Sequence, residues 1–209
     1  MQCLSNTSNS GCSGGTPKCL NNSSCVQCLS NSDCSGGSTC NSSHQCATCL
    51  QQKSAGNILT NPGFDGSLSG WNYTNPTTAL YSTTDKDSCS ASGSATGSIT
   101  SYDPAQCIGI PAHSGSITYY FGGWFFVTGY NNEAQCMVQY FSDLNCNYGL
   151  TDPYAYVIGP ATINETTGWL SYDIATSAPG SAFSVLVACS FGDTPAFIDK
   201  LYLNRSDSF

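Results

Sequence analysis

The stretch ITYYFGGWFFV, residues 117–127, decides the fold of this chain. Successive side chains of a β-strand point to opposite faces, so its odd and even positions form two separate rows. The odd row is apolar or aromatic throughout, and the even row carries Tyr120, Trp124 and Phe126. The odd row is predicted to face the core of a β-sandwich, and the even row, although also large and apolar, to form the opposite face.

Two other stretches, residues 135–141 and 183–191, alternate in the same way. Short alternating runs separated by Pro and Gly recur from residue 57 onward, and no window shows a sustained helical period. This pattern predicts a mostly β fold, an antiparallel β-sandwich over residues 57–209.

The first 50 residues differ in composition, with nine of the 14 cysteines and almost no large apolar side chain. Their cysteines fall into two repeats, residues 3–27 and 28–48, and each repeat opens with the sequence CLSN. Such units cannot bury a core, so disulfide-closed loops worth roughly 2–4 kcal/mol each are expected to replace it. Four cysteines allow three pairings, and first-to-third with second-to-fourth is favoured. Residues 51–56 are interpreted as a polar hinge, and the cysteine-rich region as a stalk or spacer.

Two Cys-x-x-Cys steps, Cys25/Cys28 and Cys46/Cys49, also match the spacing of a four-thiolate zinc site. The cysteine density and the regular interleaving of the other cysteines favour disulfides instead, and with them an extracellular, oxidising location. The cysteines expected to form disulfides are Cys3, Cys12, Cys19, Cys25, Cys28, Cys34, Cys40, Cys46, Cys49, Cys89, Cys107, Cys136, Cys146 and Cys189.

The sandwich region contains five cysteines. Cys136 and Cys189 share the core-facing phase of their strands, so they can form a buried bridge if the strands pack closely. Cys146, across a predicted turn, is a competing partner for Cys136.

The counts of nine and five are both odd, so at least one disulfide must join the two regions or leave the chain. Cys89 and Cys107 flank a hairpin-like span and are the pair we favour there. One cysteine of the sandwich is then left over, and Cys49 at the hinge is its expected mate.

Composition excludes several classes of partner. Only 9% of the residues are charged, the formal net charge is −8, and five basic residues cannot form a patch for a phosphate backbone. No apolar run approaches the roughly 20 residues that span a bilayer. The start does not resemble a secretion signal, so the sequence is interpreted as a mature or truncated form. Seven sequons, which must face solvent if the host glycosylates them, lie at Asn6, Asn21, Asn22, Asn41, Asn72, Asn164 and Asn204.

Six short motifs occur in order along the chain: NILTNPGFD (57–65), GW (70–71), SGSA (92–95), QC (106–107), YYFGGW (119–124) and FIDKLYL (197–203). Together they resemble the jelly-roll carbohydrate-binding modules of families four and nine and their galactose-binding-like relatives. The resemblance covers roughly residues 57–204 and implies a sandwich without catalytic machinery. The preceding repeats resemble the cysteine-rich spacers beside such modules in secreted bacterial proteins.

The resemblance also implies a structural calcium ion near the first and last strands, at positions that here are Asp65 and Asp199. The alternative is that Asp65 caps a turn and Asp199 is a solitary acid at a strand end.

Sugar binding in the family implies aromatic rings that stack on pyranose C–H faces beside amides that bind hydroxyl groups. The candidates are Tyr120, Trp124 and Phe126, with Gln135 and Gln139 on a neighbouring strand, and this chemistry suits a neutral polysaccharide. The same aromatic face can instead be core, or a protein–protein contact.

Catalysis is not predicted. Gly93-Ser94-Ala95 does not fit a nucleophile elbow, and Glu133 and Glu165 are interpreted as solvated loop charges rather than a glycosidase pair. The sequence therefore predicts a secreted or cell-surface protein that binds a glycan or a surface. The alternative function is a self-assembling subunit of an extracellular filament or sheath.

Overall fold

A computed structural model describes residues 18–20, 24–30, 33–34, 39–40, 44–47, 56–71, 79–88, 92–97, 103–128, 134–150, 155–159, 168–192 and 196–205. Within these ranges the regular elements are all β-strands, which confirms the predicted fold class. The strands are β1 (Lys18–Leu20), β2 (Ser24–Val26), β3 (Thr39–Cys40), β4 (Cys46–Ala47), β5 (Leu80–Ser82), β6 (Ser94–Gly97), β7 (Ala105–Gly109), β8 (Ile117–Val127), β9 (Ala134–Phe141), β10 (Ala155–Ile158), β11 (Leu170–Ala178), β12 (Ser184–Phe191) and β13 (Ala196–Arg205).

Nine of these strands form two antiparallel sheets. One sheet has five strands in the order β11-β8-β13-β6-β5, and the other has four in the order β10-β9-β12-β7. Their apolar faces enclose one core, which makes the chain an antiparallel β-sandwich.

The core confirms the predicted alternation of β8. Tyr119, Phe121 and Phe125 are fully buried between the sheets, whereas Tyr120 on the opposite face is 40% exposed. Tyr119 packs against Tyr140 of β9, with ring centroids 6.2 Å apart. The Tyr140 hydroxyl lies 2.7 Å from Thr176 Oγ1 of β11, so this buried hydroxyl has a hydrogen-bond partner on the opposite sheet.

The motif at residues 57–65 fastens the start of the sandwich to its last strand. Asn57 is buried; its Nδ2 donates to the Leu201 carbonyl at 3.1 Å and its Oδ1 accepts from Leu203 N at 3.0 Å. Further along the motif, Asn61 Oδ1 accepts from Asp65 N at 2.7 Å, and the Asn61 carbonyl accepts from Trp71 Nε1 at 2.9 Å. The motifs at 57–65, 70–71 and 197–203, which carry part of the resemblance, therefore hold one end of the sandwich together through these hydrogen bonds.

Gln106 connects the same end to β7. Its amide accepts from Thr60 N at 2.8 Å and donates to the carbonyls of Thr60 and Gly70, both at 3.0 Å. The side-chain amide of Gln106 is buried and makes these three hydrogen bonds. This explains why a glutamine is accommodated in β7, whose other side chains are apolar or sulfur-containing.

The second cysteine repeat has the favoured pairing, first to third and second to fourth. Cys28 is bonded to Cys40 and Cys34 to Cys46. The sulfurs of Cys28, Cys34 and Cys46 lie within 4.8 Å of one another, but as disulfides they offer no thiolate, so this repeat is not the zinc site weighed above.

In the first repeat, the hairpin of β1 and β2 places Cys19 opposite Cys25, which is disulfide-bonded. Cys3, Cys12 and Cys49, and the predicted hinge at 51–56 apart from Gly56, lie outside the described residues. The domain boundaries therefore stay predictions.

No helix in the described part of the chain is long and apolar enough to cross a membrane.

Candidate functional site

The outer face of the five-stranded sheet carries aromatic side chains that pack on one another. The Phe126 ring lies 5.6 Å from Trp169 and 5.7 Å from Phe197, and the two phenyl rings are stacked at 22°. Trp169 and Phe197 were not among the predicted site residues, because they lie far along the chain from β8. We call this set the aromatic strip: Tyr120, Trp124, Phe126, Trp169, Phe197 and Tyr202.

Several members of the aromatic strip are in contact with other protein groups. The Lys86 ammonium lies 4.1 Å from the centroid of Trp124, which is a cation–π contact. The Tyr202 hydroxyl lies over Gly122, where an added Cβ would come within 2.3 Å of the oxygen. The aromatic strip is therefore a half-buried surface, and the Lys86 ammonium already covers the Trp124 ring.

The structure separates the five residues predicted to bind sugar together. Gln135 and Gln139 lie on β9, and β9 pairs with β10 and β12 in the four-stranded sheet. β8 pairs with β11 and β13 in the other sheet. The prediction that these glutamines lie on a strand neighbouring Tyr120, Trp124 and Phe126 is wrong, because successive strands of a sandwich can belong to opposite sheets.

The glutamines instead belong to the outer face of the four-stranded sheet. Gln135, Met137 and Gln139 alternate with the buried row of β9, and Val157 of β10, opposite Met137, is 50% exposed. On β12 the face continues with Leu186, opposite Gln139. We call this surface, of two amides around apolar side chains, the amide face.

A cross-linked loop, residues 142–149, closes one end of the amide face. Asp143 Oδ1 accepts from Asn147 N at 3.0 Å and Tyr148 N at 3.1 Å. Desolvation opposes ionisation of Asp143, but these hydrogen bonds outweigh it and hold the pKa of the carboxyl below its usual value. Cys146 is bonded to Cys107 of β7, and Ser184 Oγ donates to the Asp143 carbonyl at 2.6 Å. The loop is therefore fixed to the sheet by a covalent bond and a hydrogen bond.

This loop lies beside Gln139 and carries an exposed tyrosine, Tyr148. The Tyr148 side chain is 72% exposed, and the backbone of Gly149 lies against Gln139, since an added Cβ there would meet Gln139 Nε2 at 2.9 Å. Leu144 on the same loop is 65% exposed. Sequence analysis missed Tyr148; the polar turn SDLNCNYG (142–149) after a strand of alternating glutamines was the available signal.

The predicted calcium residues lie in a cluster of charges between the loop 83–88 and β13. Asp199 is fully buried; its Oδ2 accepts from Lys86 N at 3.0 Å and its Oδ1 from Lys200 N at 2.6 Å. Burial raises the pKa of Asp199 to about 8, and the charge of Asp85 and a side-chain hydrogen bond to it add to this increase. Asp65 is close enough for its charge to act on Lys200. Asp85, also buried, was not among the predicted ligands.

The disulfides of the sandwich correct one prediction and agree with another. Cys136 is bonded to the directly opposite Cys189, one of the two partners considered for it, whereas Cys107 is bonded to Cys146 and not to Cys89. The loop 142–149 folds back over β7, and this tertiary contact outweighs the closeness of Cys89 and Cys107 in sequence. Cys89 lies outside the described residues.

Cys89 is consequently the cysteine of the sandwich without a mate in its own region, and we predict a bond to Cys49. Non-reduced peptide mapping by mass spectrometry should recover a peptide pair joining these two positions. A pair joining Cys49 within residues 1–48, or Cys89 recovered as a free thiol, would contradict the prediction.

Of the seven predicted sequons, Asn204 is the one that lies in the described part of the chain. Asn204 is half-buried in β13 opposite Tyr120, and the remaining six sequons, with Glu133 and Glu165, lie outside the described residues. Both ring nitrogens of His113 lie 2.9 Å from carbonyl oxygens, those of Pro111 and Pro179, so this histidine joins two turns.

No family model and no curated protein sequence matches this chain. The solved structures that resemble it are mostly carbohydrate-binding modules with a jelly-roll-like fold. Among them are a family 16 carbohydrate-binding module (TM-score 0.47, 16% identity, covering 70% of this chain and 99% of that one) and the xylan-binding domain from family 22 (TM-score 0.47, 17% identity, covering 75% and 99%).

The enzymatically active domain of tailspike protein 4 from bacteriophage CBA120 is also similar, with a TM-score of 0.51 at 16% identity. That match covers 71% of this chain, which spans 21% of the tailspike chain. At this identity the likeness establishes the fold alone, an antiparallel β-sandwich.

Proposed function

We propose that this protein is a non-catalytic, extracellular glycan-binding module on a disulfide-rich spacer, and that it binds a neutral polysaccharide on the amide face. The observation that carries the site is a disulfide-bonded loop that places the Gly149 backbone against Gln139 and leaves the side chain of the preceding residue, Tyr148, exposed. The disulfides support the location, because such bonds persist in oxidising compartments.

The chemistry of the amide face fits a sugar. A pyranose offers C–H groups to an aromatic face and hydroxyl groups at its rim. A glutamine amide both donates and accepts hydrogen bonds, so Gln135 and Gln139 can each pair with hydroxyls of either sense. The fixed loop limits the entropy lost when Tyr148 is immobilised. A formal charge of −8 favours a neutral polysaccharide over an acidic one.

The amide face is favoured over the aromatic strip because its tyrosine, Tyr148, is 72% exposed, against 40% for Tyr120 of the strip. In the strip, Phe126 contacts Trp169 and Phe197, and Trp124 is covered by Lys86, so a sugar must displace protein groups to stack there.

Affinity electrophoresis in gels containing soluble xylan, hydroxyethyl cellulose or β-1,4-galactan tests the proposal. Tyr148→Ala and Gln139→Ala should each weaken retention about tenfold, equivalent to about 1.4 kcal/mol. Tyr120→Ala is the matched control, since it removes an exposed tyrosine from the opposite face.

Loss of retention in Tyr120→Ala and Trp124→Ala, with Tyr148→Ala unchanged, would move the site to the aromatic strip and refute our assignment. A protein that polymerises without glycan and binds none of the three polysaccharides would refute the function itself and favour a structural subunit.

A structural calcium ion is the second part of the proposal, with Asp199 and Asp85 as carboxylate ligands and Asp65 nearby. The donor set fits, because calcium binds carboxylate and carbonyl oxygens and two buried carboxyl groups here repel each other. The wider cluster has four carboxylates and two ammonium groups, so fully ionised it carries a charge of −2. Bound calcium would supply the compensating charge.

A further inference from the structure

The carboxylate of Asp87 lies between two lysine side chains. Lys86 Nζ is 2.9 Å from Asp87 Oδ1, and Lys200 Nζ contacts Asp87 Oδ2. The side chains of Asp87 and Lys200 are 24% and 17% exposed, and the two residues are 113 positions apart in sequence. A partly buried amine is thus held against a carboxyl group from a distant part of the chain.

A bulge in β13 creates this contact. The pairing register of β13 with β8 shifts between Asp199 and Tyr202, and Lys200 has a φ of 50°. In a regular strand Asp199 and Lys200 would point to opposite faces of the sheet. With the bulge, Asp199 accepts from Lys86 N while Lys200 reaches Asp87, so both side chains meet the loop 83–88. A left-handed conformation at a lysine is uncommon and concentrates at sites where a side chain must be re-aimed.

We propose that Lys200 and Asp87 form a covalent amide, an intramolecular isopeptide bond between Lys200 Nζ and Asp87 Cγ. The nitrogen lone pair attacks Cγ, the Cγ–Oδ2 bond breaks, and Oδ2 leaves as water with two protons from the ammonium group. Ammonium and carboxylate thus give one amide and one water, with no oxidant or co-reactant.

The surroundings favour this condensation. Groups held in contact react with effective molarities of about 10⁵–10⁸ M, which offsets the tendency of water to hydrolyse the amide. Lys86 donates to Oδ1, the oxygen that becomes negative when Cγ turns tetrahedral, so it is placed to stabilise the oxyanion. Lys86 is itself anchored over the Trp124 ring. The structure therefore distinguishes the attacking amine, Lys200, from the stabilising one.

The bond would close a covalent loop between the β5–β6 connection and the last strand. This is the role that disulfides have elsewhere in the chain, and here it uses no cysteine. Amide formation removes one carboxylate and one ammonium together, so the net charge of the cluster is unchanged and the calcium proposal is unaffected.

Mass spectrometry of the full chain, deglycosylated, reduced and alkylated, tests the bond. We expect a mass about 18 Da below that of the sequence, corresponding to one water. No Lys or Arg lies between positions 87 and 200, so trypsin would leave both partners on one peptide. Chymotrypsin separates them, and a branched peptide containing Asp87 and Lys200 is expected.

Lys200→Arg is the matched control, because it retains a cation beside Asp87 but lacks the amine, and it should restore the full mass. Asp87→Ala should do the same if the arginine variant does not fold. A wild-type chain of full mass refutes the bond. So does an 18 Da loss found on a linear peptide, which indicates a succinimide at Asp87, or a branch at Lys86.

Discussion

The double variant Cys28→Ser/Cys40→Ser is expected to lose the folded structure of the second cysteine repeat while the β-sandwich remains folded. Among the described residues of the repeats, only Cys28 is fully buried, so the disulfides stand in for a core. The Cys28–Cys40 bond closes a 12-residue separation, for which chain entropy gives about 3 kcal/mol. The only strand pair described in this repeat, β3 with β4, has two residues in each strand, so its pairing cannot replace the stabilisation lost with the disulfide.

Limited proteolysis with mass spectrometry measures the effect. New cleavage sites should appear between residues 28 and 48 in the variant, and the melting temperature of the sandwich should stay within a few degrees of wild type. Cys107→Ser/Cys146→Ser is the control: it also removes one disulfide, but from a region with its own buried core, so it should stay protease-resistant. Equal resistance of the first variant and the wild type would show that the repeat has another source of stability.

The sequence predicted the strands of the sandwich well because their side chains alternate. Burial of one row of β8 and of β9 imposes a period of two that the sequence records directly. The pairing of the second repeat agrees with the preferred one of the three that four cysteines allow, although their spacing alone does not choose among the three.

The partition of strands between sheets was not predictable in this way. β8 and β9 follow each other in the chain, and only long-range pairing places them in different sheets. The error at Gln135 and Gln139 follows from this. The Cys107–Cys146 bond and the exposed Tyr148 depend on a loop that folds back over β7, and Asp85 reaches Asp199 through the bulge in β13. Local patterns contain none of these contacts.

Calcium is expected to raise the melting temperature of the sandwich by roughly 8–16 °C, and EDTA to reverse the increase. A ligand at 1,000 times its Kd stabilises the folded state by about 4 kcal/mol, and 1 kcal/mol corresponds to about 2–4 °C for a chain of this size. The physical reason is the cluster at Asp199 and Asp85, where an ion would replace the repulsion between two buried carboxyl groups with attraction.

Differential scanning calorimetry with calcium and with EDTA measures this shift in three proteins. Asp199→Asn should melt at the same temperature with and without calcium, because a neutral amide cannot supply the buried charge. Asp173→Asn, an exposed position on β11 of the same sheet, should keep the full response of the wild type. The calcium site would be refuted if the melting temperature of the wild type changed with neither calcium nor EDTA, or if the Asp199→Asn variant still showed the full shift. The two aspartates would then be a pair stabilised by a shared proton, as the pKa of about 8 for Asp199 allows.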